Sequence, residues 1–156
     1  MQDPNQAAHL AKGERRPPGT IWRRNPREQG LIGVTDAIAW FGRQGWPVSV
    51  PLIDSQPYDL VVDDGTRLLR VQVKTTTYRS RSGRFVVQLC TRGGSRSFHT
   101  TRSFQPGACD LLYVLTDDHD RYLIPTTEVR AGHSLTLGAR MAPFLLTCTP
   151  GAPGLP

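Results

Sequence analysis

Apolar residues at Leu31, Val34, Ile38 and Phe41 fall three or four positions apart, with Ala37 and Trp40 widening the stripe. That spacing predicts one amphipathic helix. Its start is marked by Asn25 as cap, Pro26 at the first helical position and Glu28 three residues after the cap. Gly30 and Gly33 weaken its first turns, Gly45 supplies a C-terminal cap, and Pro47 prevents continuation. The helix is expected over 26–44.

Beyond it the period changes. "PVSVP", "YDLVV", "RLLRVQVKT" and "RFVVQLCT" read as short strands, the second and third joined through Asp64-Gly65. "DLLYVLT" and "RYLIP" predict a second hairpin around "DDHD". Between Thr126 and Cys148 the pattern suggests a short helix near Glu128 and a final strand at "FLLT". One helix leading into a meander of strands is an α+β arrangement. Residues 1–24 are polar and basic without apolar period and read as a disordered arm; 149–156 read as a loose tail. The folded domain is placed at 25–148.

The first hairpin sorts its side chains. With a two-residue loop, Asp63 pairs with Thr66 and Asp59 lies opposite Arg70. Alternate residues share a face. Asp59, Arg70, Gln72 and Lys74 then project from one side, and Leu60, Val62, Val71 and Val73 from the other, the core side. A one-residue slip would bury the charges. Asp59 and Gln72 fall within about 8 Å on the diagonal.

Charge adds a partner class. The net charge is +6 and the pI about 9.8. From Thr66 to Cys109 there is no acidic residue, while Arg67, Arg70, Lys74, Arg79, Arg81, Arg84, Arg92, Arg96 and Arg102 all fall there. Arginine suits bidentate phosphate contact, so a one-signed run points to a polyanion; the plainer reading is a solvated basic face. No window has the uninterrupted apolar length of a membrane span, and the N-terminus lacks a signal-peptide core. Cys90, Cys109 and Cys148 are odd in number and widely spaced, which fits a reducing cytoplasm better than a disulfide framework or zinc ribbon. His9, His99, His119 and His133 lack zinc spacing, and "DDHD" reads as a hydrophilic turn.

A carboxylate and an amide oxygen on one face can share a hard cation such as Mg²⁺, with the Val73 carbonyl between them as a third oxygen. A lysine beside that cation can orient or deprotonate an attacking water and offset phosphate charge. Together these groups are equipment for phosphodiester hydrolysis. The alternative is an exposed polar strand face carrying an Asp59–Arg70 pair.

"PYDLVVDDGTRLLRVQVKTTTY" resembles the core of the PD-(D/E)XK nuclease superfamily in a Q-x-K form, most like the small group-I-intron-associated endonuclease domains. "QGLIGVTDAIAWFGRQGWPVSVPLIDSQPYDL", "VVQLCTRGG" and "DLLYVLTDDHDRYLIP" extend the resemblance over roughly Gln29 to Arg130. It implies a restriction-endonuclease-like core, with the N-terminal helix on a mixed four- to five-stranded sheet. It also implies DNA as partner and Mg²⁺ as cofactor, with Mn²⁺ as substitute. Asp59 falls on the metal-binding aspartate, Gln72 on a position usually held by Asp or Glu, and Lys74 on the catalytic lysine; Gln72 and the Val73 carbonyl would complete the metal ligands. Arg79, Arg81, Arg84, Arg92, Arg96 and Arg102 would hold the nucleic-acid backbone. Cutting both strands favours a homodimer, and neither a membrane nor a small-molecule cofactor is called for. One departure stands out: the glutamate usual after the helix glycine is Val34 here. The nearest carboxylates are Glu28 and Asp36, and Asp36 lies about 200° around the helix from position 34. A catalytically impaired nucleic-acid-binding module on the same fold is the alternative reading.

Overall fold

The computed structural model describes residues 20–53, 55–93 and 100–146. Helix α1 spans Pro26–Arg43, and the Asn25 side chain accepts a hydrogen bond from the Arg27 amide at 3.0 Å. Glu28 reaches back to the Asn25 side-chain amide rather than its backbone, at 3.4 Å. After the cap at Gln44 the chain turns through Gly45 at φ +77°, a left-handed conformation that favours glycine.

Strands β1 (Val48–Ser49), β2 (Leu60–Asp63), β3 (Leu68–Thr76), β7 (Leu111–Thr116) and β8 (Arg121–Pro125) form one sheet in the order β1-β2-β3-β7-β8. The β3–β7 pair is parallel and the others antiparallel, so the sheet is mixed. Two further two-stranded ladders stand apart: β4 (Val86–Gln88) with β9 (Ser134–Thr136), and β5 (Thr91–Gly93) with β6 (Thr100–Arg102).

The sheet has an apolar layer on each face. On one face, Ala37 and Phe41 of α1 pack with Leu60, Val62, Val71, Val73, Tyr113 and Leu115. Trp40, Phe41, Trp46 and Tyr113 form an aromatic group there, with Phe41 stacked on Trp46 at 5.7 Å. On the other face, Phe85, Val87 and Leu89 pack with Leu112, Val114, Ile124 and Met141. Gly33 makes the α1 approach close: a β-carbon there would lie 2.5 Å from Thr75 Cγ2.

Three expectations are corrected. The hairpin loop holds four residues, because Asp63 pairs with Leu68 and Arg70 with Val61. Asp64 Oδ1 accepts from the Thr66 and Arg67 amides at 2.8 and 2.9 Å, an Asx-type turn that outcompetes the two-residue loop. The register therefore slips by two and keeps every side chain on its expected face, but Arg70 does not meet Asp59. The final strand expected at "FLLT" does not form over its described residues: Phe144 ends a 3-10 stretch, Ala139–Phe144, and Leu145 makes a single bridge to Tyr122, while Thr147 lies outside the described residues; β9 is a strand in this region. Ahead of Asn25, Ile21 is 2% exposed and its amide donates to Asp117 Oδ1 at 3.1 Å, while residues 1–19 of the expected arm lie outside the described residues. The short helix expected near Glu128 is a 3-10 turn at Thr126–Glu128.

Candidate functional site

β3 is the central strand of the sheet, and its alternation sets the site. Val71 and Val73 enter the α1-side core, while Gln72 and Lys74 lie beside Leu112 and Val114 on the opposite face. That second face is covered. The polar set is therefore embedded in an apolar layer, and Gln72 is only 9% exposed.

Asp59 sits just before β2. Its amide donates to the Val71 carbonyl at 2.9 Å, and its carboxylate accepts from the Val73 amide at 2.6 Å. Residues of a strand direct their N–H and C=O to the same edge. The Val73 carbonyl thus opens on the edge that Asp59 occupies. Burial pushes the Asp59 carboxyl above its ordinary value, only partly offset by the Val73 amide and the Lys74 charge. Burial likewise pulls Lys74 below the ordinary lysine value, against the attraction of Asp59. The Lys74 side-chain amine makes no hydrogen bond to any described residue. Gln72 Oε1 is buried and also has no hydrogen-bond partner. An unsatisfied buried acceptor costs about 1–3 kcal/mol, so its position calls for a donor or a cation.

A divalent cation fits these donors by kind: one carboxylate, one amide oxygen without a partner and one backbone carbonyl are all hard oxygen ligands. Among the described residues no group of three His, Cys, Asp or Glu side chains could hold a metal, so Asp59 is the anionic member of the set. Cys109 lies beside the site, 2% exposed, with its thiol pushed up to about 11 chiefly by burial; it is an inert neighbour rather than a nucleophile.

The helix adds no carboxylate. Val34 packs against the α1-side core. Asp36 is taken by Arg121, at 2.7 and 2.9 Å, and by the Tyr113 hydroxyl at 2.7 Å. Glu28 is exposed at the helix start. The polar side chain that α1 gives to β3 is Gln29, whose amide donates to Thr75 Oγ1 at 3.4 Å.

The arginines divide. Arg70 holds Asp110 through its Nε and Nη2, at 3.1 Å each. Arg79 donates to the Gly83 carbonyl at 2.7 Å, pairs with Asp118 and lies over the Phe85 ring at 3.7 Å. Arg81 and Arg84 are exposed. The side chains of Arg92 and Arg102, and Arg96 altogether, lie outside the described residues. The "DDHD" turn is structural: Asp117 binds Ile21 and Asp118 binds Arg79. Sequence reading missed the Tyr78–Val86 hairpin, although Ser80, Ser82 and Gly83 carry ordinary turn chemistry.

Among the described residues no helix is long and apolar enough to cross a membrane. No curated protein matches the chain. The structure is similar to that of a bacterial homing endonuclease, at 25% identity and TM-score 0.65, over 74% of this chain and 85% of that one. The family model described as PD-(D/E)XK endonuclease matches residues 24–144, and the chain belongs to that family.

Proposed function

We propose that this protein is a cytoplasmic, divalent-metal-dependent DNA endonuclease that acts as a homodimer, with Asp59, Gln72 and Lys74 as its catalytic residues. The observation that carries the reading is the buried, unpartnered Gln72 Oε1 on the same face of β3 as Lys74, with Asp59 held against the Val73 amide beside it. A polar group left unsatisfied in an apolar layer is expected where a ligand completes it. The homing endonuclease likeness and the family membership support nucleic acid as the substrate.

Asp59, Gln72 and the Val73 carbonyl would hold the cation, Mg²⁺ by the preference of hard oxygen donors, with Mn²⁺ as substitute. When bound, such a cation offsets phosphate charge and polarises the phosphoryl oxygens. The residues supply the rest. In hydrolysis a water oxygen forms a bond to phosphorus, one P–O ester bond breaks, and the departing oxygen gains a proton. Lys74, already pulled below its usual value by burial, sits where its amine orients that water or takes its proton. The apolar cover of Val87, Leu89 and Leu112 lowers the local dielectric and strengthens these charge interactions. Arg81 and Arg84, exposed on the hairpin that leaves β3, would contact the phosphodiester backbone.

One carboxylate facing one scissile phosphate accounts for the homodimer: a second copy would address the second strand. With one carboxylate in the set among the described residues, the alternative, a nucleic-acid-binding module with impaired catalysis, is also supported. A plasmid-nicking assay separates the two. Conversion in Mg²⁺ or Mn²⁺, none in EDTA and none for Lys74→Ala is the expected result. Plasmid binding without conversion in any metal would assign the binding module instead.

A further inference from the structure

The segment after Lys74 has an unexpected degree of construction. Thr76 Oγ1 donates to the Val86 carbonyl at 2.6 Å and accepts from the Tyr78 amide at 3.3 Å. One hydroxyl thus fastens both stems of a hairpin to the strand that carries the site. The hairpin continues through a Val86 amide bond to Tyr78, an Arg79–Phe85 bridge and a Ser80 amide bond from the other side, to Arg84 at 2.8 Å. Gly83, at φ +78°, closes the turn with an amide bond to Ser80.

Arg79 braces this hairpin from within. Its guanidinium binds the Gly83 carbonyl at the turn, covers Phe85 on the returning stem and pairs with Asp118 in the β7–β8 turn. Two of its five N–H donors are engaged, one face is covered by the Phe85 ring and Asp118 offsets its charge, so it is a poorer phosphate ligand than an unpaired arginine. Arg81 and Arg84 differ. Both are exposed, and neither is in an ion pair among the described residues. Tyr78, 59% exposed, stands at the base.

We infer that the Tyr78–Val86 hairpin is a rigid DNA-tracking arm, with Arg81 and Arg84 as its phosphate contacts and Arg79 as a positioning residue that touches no phosphate. The proposal rests on the endonuclease reading and assigns its binding surface. The occupant is duplex DNA because the arm is cationic, contains no acidic residue and springs from the catalytic strand. Its reach is bounded. Arg81 stands seven positions beyond Lys74, a span of at most about 25 Å, so the arm contacts phosphates within about seven base pairs of the cut.

The test is binding of a short fluorescein-labelled DNA duplex of mixed sequence, in EDTA, across a salt series. For Arg81→Ala/Arg84→Ala the slope of log affinity against log salt should flatten by about two units. Asp118→Asn should weaken binding by up to about fivefold, the range of an exposed ion pair, without changing the slope. An unchanged slope in the double variant overturns the arm. Tighter binding with a steeper slope in Asp118→Asn overturns the brace, because it would mean that Arg79, once released, takes a phosphate. Hydrogen exchange of the Gly83 amide, measured without DNA, should speed up in Arg79→Ala; an unchanged rate also overturns the brace. Wild-type protein with no salt-dependent affinity at all overturns the nucleic-acid reading itself, an outcome distinct from each of these.

Discussion

The Asp59 carboxylate accepts the Val73 amide at 2.6 Å, so the proposed metal-binding side chain is tied to the backbone of the strand that carries the other site residues. This arrangement places a charge where burial opposes it: the Asp59 carboxyl is pushed up by desolvation despite that bond. Asn at 59 can accept the same amide without a charge. Asp59→Asn should therefore raise the melting temperature in EDTA by about 2–4 °C, equivalent to about 1 kcal/mol, while abolishing nicking. The sign with pH follows from linkage. A carboxyl with a raised folded pKa binds more protons folded than unfolded, so its cost grows as pH rises from the ordinary carboxylate range through the raised value. The advantage of Asp59→Asn should vanish at the acid end of a pH series of melts; a constant advantage would contradict the buried charge.

Lys74 makes the mirror-image prediction. Burial lowers its pKa, so the folded state binds fewer protons, and stability rises with pH from the depressed value up to the ordinary lysine value. Lys74→Met should melt higher than wild type near neutrality and lose that margin at alkaline pH. Cleavage should fall by about 10²–10⁴-fold, the range for a positioned acid–base group. Duplex affinity in EDTA, which the proposal assigns to the arginines, should change little. A variant with reduced stability at neutral pH and unaltered nicking would remove Lys74 from the site.

How much of this was legible beforehand depends on which physical constraint acted. The face shared by Gln72 and Lys74 was readable because side-chain alternation has period two, and the actual register slip of two preserves it; Asp59, just before β2, is instead fixed by its bond to the Val73 amide. The slip itself was not readable from Asp64-Gly65 alone. It depends on Asp64 capturing the Thr66 and Arg67 amides, a local competition that the dipeptide rule ignores. The helix was legible through its stripe and its Asn25 cap. The cover over the site face was not, because it is assembled by β4 and β9 from distant parts of the chain. Hence the set expected on an open face is enclosed, and Gln72 is buried. The role of Arg79 was hidden for the same reason, since Asp118 is remote in sequence.

Gly33 allows α1 to sit on β3, where an added β-carbon would meet Thr75 Cγ2 at 2.5 Å and Val73 Cγ1 at 3.2 Å. Gly33→Ala should gain helix propensity but overpack this contact, for a net loss of about 1–3 kcal/mol. Because Val73 and Thr75 flank Lys74 on β3, the displacement should also reduce nicking at temperatures where the variant remains folded. Chemical denaturation read together with nicking checks both parts; wild-type stability would show that α1 can retreat freely.

Asp36 gives a stability prediction separate from the site. Burial raises its pKa, but the Arg121 and Tyr113 hydrogen bonds and the Arg121 charge outweigh this, and the net shift is downward. Its contribution is present above the unfolded carboxylate value and is lost as pH falls through the lower folded value. Arg121→Met should remove this stabilisation and strand the carboxylate, costing about 1–3 kcal/mol near neutrality. The deficit relative to wild type should shrink in acid. Equal deficits at neutral and acid pH would mean that the pair contributes packing rather than charge.

The decisive substitution for the metal reading is Gln72→Glu. The Gln72 Oε1 is buried without a partner, so a carboxylate of nearly the same shape places a second negative charge at that point with little steric change. Without a cation the added charge lies in an apolar layer near Asp59, and both desolvation and like-charge repulsion oppose it. The melting temperature in EDTA should fall, by about 2–4 °C for each kcal/mol lost. With Mg²⁺ or Mn²⁺ the same charge attracts the cation, and the cation relieves the repulsion. Affinity by calorimetric titration should rise at least about tenfold, equivalent to 1.4 kcal/mol, and metal should restore the lost melting temperature. The two effects have opposite signs and one cause. A drop in stability that metal does not reverse, with unchanged metal affinity, would show that Gln72 does not face the cation. The unpartnered oxygen would then be a cost of the fold, and the chain would be read as the binding module rather than the nuclease.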